Sequence, residues 1–149
     1  MLYRLLVLLH LLAAIVWLGG MFFAYFCLRP AGATVLEPPQ RLSLWSAVFA
    51  RFLPLAGVAV LVILGSGAAL LSRIGVSHAP LGWHVMLTLG LVMSGVFAYV
   101  YLALYPRLRE RCAASAWPAA AEALNGIRRL VALNLVLGMC AIAAAMSAR

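Results

Sequence analysis

Four long apolar runs, separated by short polar stretches, organise the chain. They extend from Leu5 to Leu28, from about Phe52 to Leu71, from Leu81 to Tyr105 and from Leu130 to Met146. A helix needs roughly 20 apolar residues to cross about 30 Å of hydrocarbon. The first three runs meet that length. The fourth meets it if its helix starts earlier, with Arg128 and Arg129 reaching the headgroups. Runs of this kind lack the alternation of barrel strands, and backbone groups in lipid must pair internally, so helices are predicted. The expectation is all-α: an integral membrane four-helix bundle, a single transmembrane domain over residues 1–149.

The stretches between the runs carry turn signals. Pro30 and Gly32 are expected to end the first helix. Glu37-Pro38-Pro39 starts an interfacial helix through Leu42, Leu44, Trp45 and Phe49 that can continue into the second span. Gly75 to Gly82, with Pro80, forms a tight loop. Pro106 marks the end of the third span, and Ser115 followed by Pro118 reads as a new helix start. The first run is longer than a typical signal-peptide core and contains Trp17, so it reads as a retained helix. No segment repeats convincingly. Small residues, among them Gly19, Gly20, Gly65, Ser66, Gly67, Gly95 and Gly138, are the expected helix contacts.

Composition agrees with this pattern. Hydrophobic residues make up 67% of the chain and charged residues only 9%, whereas a soluble domain carries about 25% charge. The net charge is +8 and every basic side chain is arginine. The arginines lie between apolar runs, so they read as loop charges rather than as a nucleic-acid surface. If spans alternate, one side holds Arg29, Arg41, Arg51, Arg107, Arg109, Arg111, Arg128 and Arg129, and the other Arg4, Arg73 and Arg149. Arginine-rich short loops stay in the cytoplasm. Both termini are therefore expected outside it. The lipid bilayer is the expected partner, with homo-oligomers or other membrane proteins left open.

Ionisable residues inside spans are costly and mark function. His10 lies about 8 Å in from Leu5 and His84 about 5 Å in from Leu81, at 1.5 Å per residue. Two imidazoles at one depth on neighbouring helices suit bis-histidine haem b or a copper site. Either could instead hydrogen-bond a carbonyl or hydroxyl within the bundle. Trp17 shares a stripe with His10 and is too deep for an interfacial anchor, so it is a candidate cofactor-pocket residue and equally a packing residue. On the third span Gly95 could admit a flat macrocycle or only another helix. Met86 and Met146 offer thioethers for Cu(I), but Met86 diverges from His84 by about 200° around the helix. Arg51, Arg128 and Arg129 are candidate partners for a haem propionate or a lipid headgroup, and as loop charges they are already accounted for. His78 belongs to the outer loop. Asn134, inside the fourth span, reads as a helix-joining hydrogen bonder. Cys27, Cys112 and Cys140 form no paired motif. The only acids, Glu37, Glu110 and Glu122, lie in loops, which argues against carboxylate hydrolases and carboxylate-based proton pumps.

The stretch from Leu9 to Phe22, with His10, then Trp17, Gly19 and Gly20, resembles the first-helix signature of the copper-resistance D (CopD) family. Ala50-Arg51-Phe52, leading to Gly65-Ser66-Gly67, is similar to that family's second block. The resemblance implies a role in copper uptake or tolerance. A more distant similarity, to HemJ-type protoporphyrinogen oxidases, implies bound haem b and membrane redox chemistry. It is met by no lysine here, and a cofactor-free subunit or assembly factor is the third reading.

Overall fold

In the computed structural model, residues 1–147 are described and four helices are long and apolar enough to cross a membrane. They are α1 (Leu2–Val35), α2 (Pro38–Ile74), α3 (Leu81–Ala113) and α4 (Trp117–Ser147). Among the described residues there is no strand. The large side chains that remain exposed are mostly apolar, among them Leu8, Leu11, Ile15, Leu61, Leu102 and Val136. In water such a surface would be an aggregation hazard; against lipid tails it is the expected outer face.

The interfacial helix runs without a break into the second span. Glu37 and Gln40 form a reciprocal capping box at its start, and Pro38 and Pro39 fill first-turn positions that have no N–H to satisfy. The helix stops at Gly75, whose φ of 84° is open to glycine and costly for other residues. A short 3₁₀ turn, Val76–His78, leads to α3. The α3–α4 connection turns at Ser115, with φ of 54°, and Arg111 Nη1 donates to the Ala119 carbonyl at 2.8 Å across it.

One expected helix end is not an end, and one helix continues past the expected end of its span. Past Pro30 and Gly32 the first helix continues to Val35, and past Pro106 the third continues to Ala113. Each proline follows a π-helical turn, Ala24–Leu28 in α1 and Val100–Leu104 in α3. A proline ring ordinarily clashes with the carbonyl four residues back, here that of Phe26 or Leu102. The widened turn containing that residue absorbs the conflict.

This shared device reveals an internal repeat that hydrophobicity concealed. The register that sets Pro30 on Pro106 also sets Tyr25 on Tyr101, Leu28 on Leu104 and Gly19 on Gly95, and makes the two π-turns coincide. The chain is thus two helical hairpins, α1–α2 and α3–α4, with α1 and α3 as counterparts.

Helix α1 packs along α2 and touches α4; α3 packs along α4 and touches α2. Helices α1 and α3 are therefore diagonal across the bundle and not neighbours as expected. One core fills the arginine-rich end, around Trp45, Phe49, Leu108, Leu124 and Ile127. A second, around Trp17, Met21, Ala56 and Met93, fills the middle. Trp17 meets Phe97 edge to face, with centroids 6.0 Å apart, and this contact joins the diagonal helices.

Candidate functional site

Two cavities open between the helices, and Trp17 borders both. Placing a bulky residue at that depth of α1 separates the arginine-poor half of the lumen from the arginine-rich half.

The arginine-poor cavity has a volume of about 120 Å³. His10 and Trp17 of α1, Gly67 of α2, Met86 and Met93 of α3 and Gly138 of α4 border it. His10 Nδ1 lies 2.9 Å from Ser66 Oγ. That hydroxyl donates back to the Val62 carbonyl at 2.6 Å, so Oγ faces Nδ1 as an acceptor. With the hydroxyl turned to Val62, the matching tautomer carries its proton on Nδ1 and keeps the lone pair on Nε2, the form of imidazole that binds metals. The ring lies across Gly67, where an added Cβ would stand 3.4 Å from Cε1. The Gly65-Ser66-Gly67 run thus serves the histidine: Ser66 orients it and Gly67 gives it room.

His84 is not among the residues bordering this cavity. The cavity-facing positions of α3 are Trp83, Met86, Leu87, Gly90 and Met93, and His84 stands about 100° round the helix from Trp83. The divergence of His84 from Met86 foreseen in the sequence is seen in the structure, with Met86 on the cavity wall and His84 off it. The internal repeat has the same outcome, because it sets His10 on Met86 and Trp17 on Met93. A search for repeated Tyr-x-x-Leu-x-Pro segments was the sequence signal that would have found both residues.

The remaining candidates are dispersed. Arg51 is exposed at the arginine-rich end and borders neither cavity. Gly95 is exposed, with nothing within 4 Å of an added Cβ. His78 is exposed beside the Ser77 hydroxyl, 3.2 Å away. The three cysteines are unpaired. Among the described residues no three His, Cys, Asp or Glu side chains cluster as metal ligands. Asn134 performs the joining role expected of it: Nδ2 donates to the Met93 carbonyl at 3.1 Å, from α4 to α3.

Haem b does not fit the arrangement. The cavity beside His10 is smaller than the roughly 300–1,000 Å³ of small-molecule sites, and His84 is not on its wall. Cu(I), a single soft ion, does fit by donor chemistry, since imidazole nitrogen and methionine thioethers border one space.

The second cavity, of about 310 Å³, lies toward the arginine-rich end and is almost wholly apolar. Trp45, Phe52, Phe97 and Asn134 line it, with Arg29 and Arg128 among the polar residues of its wall.

These features define a polytopic four-helix membrane protein with a histidine–methionine cavity in one half of its lumen. The chain matches the family described as Copper resistance protein D over residues 46–148, more than half its length, and belongs to that family. No curated protein and no solved structure matches it. The matched segment includes Arg51, the Gly65-Ser66-Gly67 run and both methionines. It leaves out the His10–Trp17 block from which the resemblance was first drawn.

Proposed function

We propose that the protein handles copper in the bacterial inner membrane, taking Cu(I) as cargo at the His10–Met86–Met93 cavity. One observation carries this reading: His10, its Nδ1 held 2.9 Å from Ser66 Oγ, borders a cavity that Met86 and Met93 also border, and the tautomer that donates from Nδ1 leaves Nε2 for a ligand. Imidazole and thioether together favour the cuprous ion over hard cations such as Mg²⁺ or Ca²⁺. Membership of the copper-resistance family supports the choice of metal. The arginine asymmetry supports placing this cavity in the half of the membrane away from the cytoplasm, from which copper would enter.

The test is a titration of purified protein in mild detergent, under reducing conditions, against a chromophoric Cu(I) chelator. Stoichiometric withdrawal of one Cu(I) per chain is expected. Failure to compete with even a weak chelator would refute the assignment. An absorption spectrum of protein from haem-replete cells checks the haem alternative, and no b-type bands are expected.

A further inference from the structure

The copper reading makes no use of the arginine-end cavity, yet the wall of that cavity has the features of a ligand site. Two buried donors among the described residues lack a hydrogen-bond partner: Trp45 Nε1, in a residue only 3% exposed, and Arg128 Nε. Both residues line the cavity, and the Arg128 guanidinium lies 5.7 Å over the Trp45 ring. Burying a donor unpaired is costly, so an acceptor at this point would be bound strongly.

Beside the cavity lies a shallower hollow of about 390 Å³ that shares Tyr25, Arg29 and Arg128 with it and adds Arg129. None of the chain's three acids borders the hollow. Arg29 follows directly on the first apolar run, and Arg128 and Arg129 directly precede the fourth. All three therefore stand at one membrane boundary, at headgroup depth. Phe23, which lines the cavity, is 58% exposed on the outer face of α1, so the cavity's edge meets lipid rather than the bundle interior.

We propose that the cavity and hollow together bind an anionic phospholipid, with an acyl chain in the cavity and the phosphate among Arg29, Arg128 and Arg129. Guanidinium groups form strong charge-assisted bonds with phosphate oxygens, and basic pockets between transmembrane helices select anionic headgroups. The Trp45 N–H and Arg128 Nε–H lie buried within the wall and join the phosphate or the ester carbonyls if these side chains shift as the lipid enters. Asn134 Oδ1, also without a partner, lies six residues further along α4, about 9 Å deeper, at the level of the chain and outside this headgroup site.

The test uses the full chain, delipidated in neutral detergent and followed by native mass spectrometry. It is titrated separately with phosphatidylglycerol, phosphatidylcholine, oleate and inorganic phosphate. Phosphatidylglycerol should be retained at least about tenfold better than phosphatidylcholine. Arg29→Gln with Arg128→Gln should abolish that preference. Ala24→Leu, which keeps the charges and fills the cavity, should weaken phosphatidylglycerol binding. Trp45→Phe, which removes only the N–H, serves if the double variant does not fold, and should reduce retention severalfold. Equal retention of the two phospholipids, or a preference that survives these substitutions, would overturn the proposal. Oleate binding as tightly as phosphatidylglycerol would assign the site to a free carboxylate amphiphile, and inorganic phosphate binding equally well would show that the cavity has no role; either result overturns it. Cu(I) binding is measured on the same samples at the far end of the bundle, so the outcomes of the two proposals stay separate.

Discussion

His10 and Met86 hold equivalent positions in the two hairpins and border one cavity, although their helices lie diagonally across the bundle. The relationship explains how a cavity with soft donors arises without any local metal-binding motif. The first hairpin contributes His10 and the second Met86 and Met93, with Met86 at the position equivalent to His10, and a π-turn follows in both α1 and α3.

Ser66 is a positioning residue for His10, and its removal should act on both stability and metal affinity. Ser66→Ala deletes the acceptor 2.9 Å from Nδ1. Leaving that imidazole group unpaired should cost about 1–3 kcal/mol, read as earlier thermal or denaturant unfolding in detergent. Loss of such an orienting partner also typically lowers metal affinity roughly 10–100-fold. Ser66→Thr keeps the hydroxyl and should recover most of the affinity. If Ser66→Ala matched the parent in both measurements, the hydrogen bond would have no orienting role.

The adjacent glycines of α1 should respond in opposite ways. An added Cβ at Gly20 would overlap the Phe52 ring, while at Gly19 nothing lies within 4 Å. Gly20→Ala should destabilise by about 1–3 kcal/mol as Phe52 is displaced. Gly19→Ala should range from neutral to a gain of up to about 1 kcal/mol from helix propensity. Unfolding curves for the two variants side by side check this; equal effects would show that α1 and α2 do not meet closely at Gly20.

The sequence made the four spans, the continuous α2, the turn at Gly75 and the restart after Ser115 legible, because each depends on local chemistry. Helix lengths beyond Pro30 and Pro106 were not legible, since a proline ordinarily ends a helix and only the backbone shows a π-turn accommodating it. His10 and Trp17 were identified by cost: an imidazole and an indole deep in a span need a reason to be there. Which of Met86 and His84 borders the cavity depends on the rotation of α3 about its axis. In a helix that is apolar on every side, hydrophobicity carries little information on that angle. The buried donors of Trp45 and Arg128 appear only when the helices are assembled.

Orientation is tested by reporter fusion. Eight arginines on one side against three on the other are the ground for expecting both termini outside the cytoplasm. Arg149 and the chain's C-terminal end lie outside the described residues, so the expectation rests on charge alone. A reporter active only in the cytoplasm should give no signal when fused after Arg149, and one active only outside should give a strong signal. The reverse pattern would place the His10 cavity in the cytoplasmic half and make copper entry from outside untenable.

The last prediction separates the two histidines. If the cavity is the copper site, His10 and His84 differ sharply, although both lie within spans at similar depth. His10→Ala removes the imidazole that borders the cavity and should lower Cu(I) affinity more than the roughly 10–100-fold expected for an orienting partner such as Ser66. Met86→Leu keeps the apolar volume, removes a thioether and should also weaken binding. His84→Ala should leave affinity within about threefold, less than 1 kcal/mol at 1.4 kcal/mol per tenfold, because the residue is not on the cavity wall. Competition titrations of all three variants, each shown to be helical and monodisperse, decide the matter. A loss for His84→Ala as large as that for His10→Ala would restore the bis-histidine arrangement and require α3 to turn about its axis on binding. Retained affinity in both His10→Ala and Met86→Leu would remove copper from this cavity altogether.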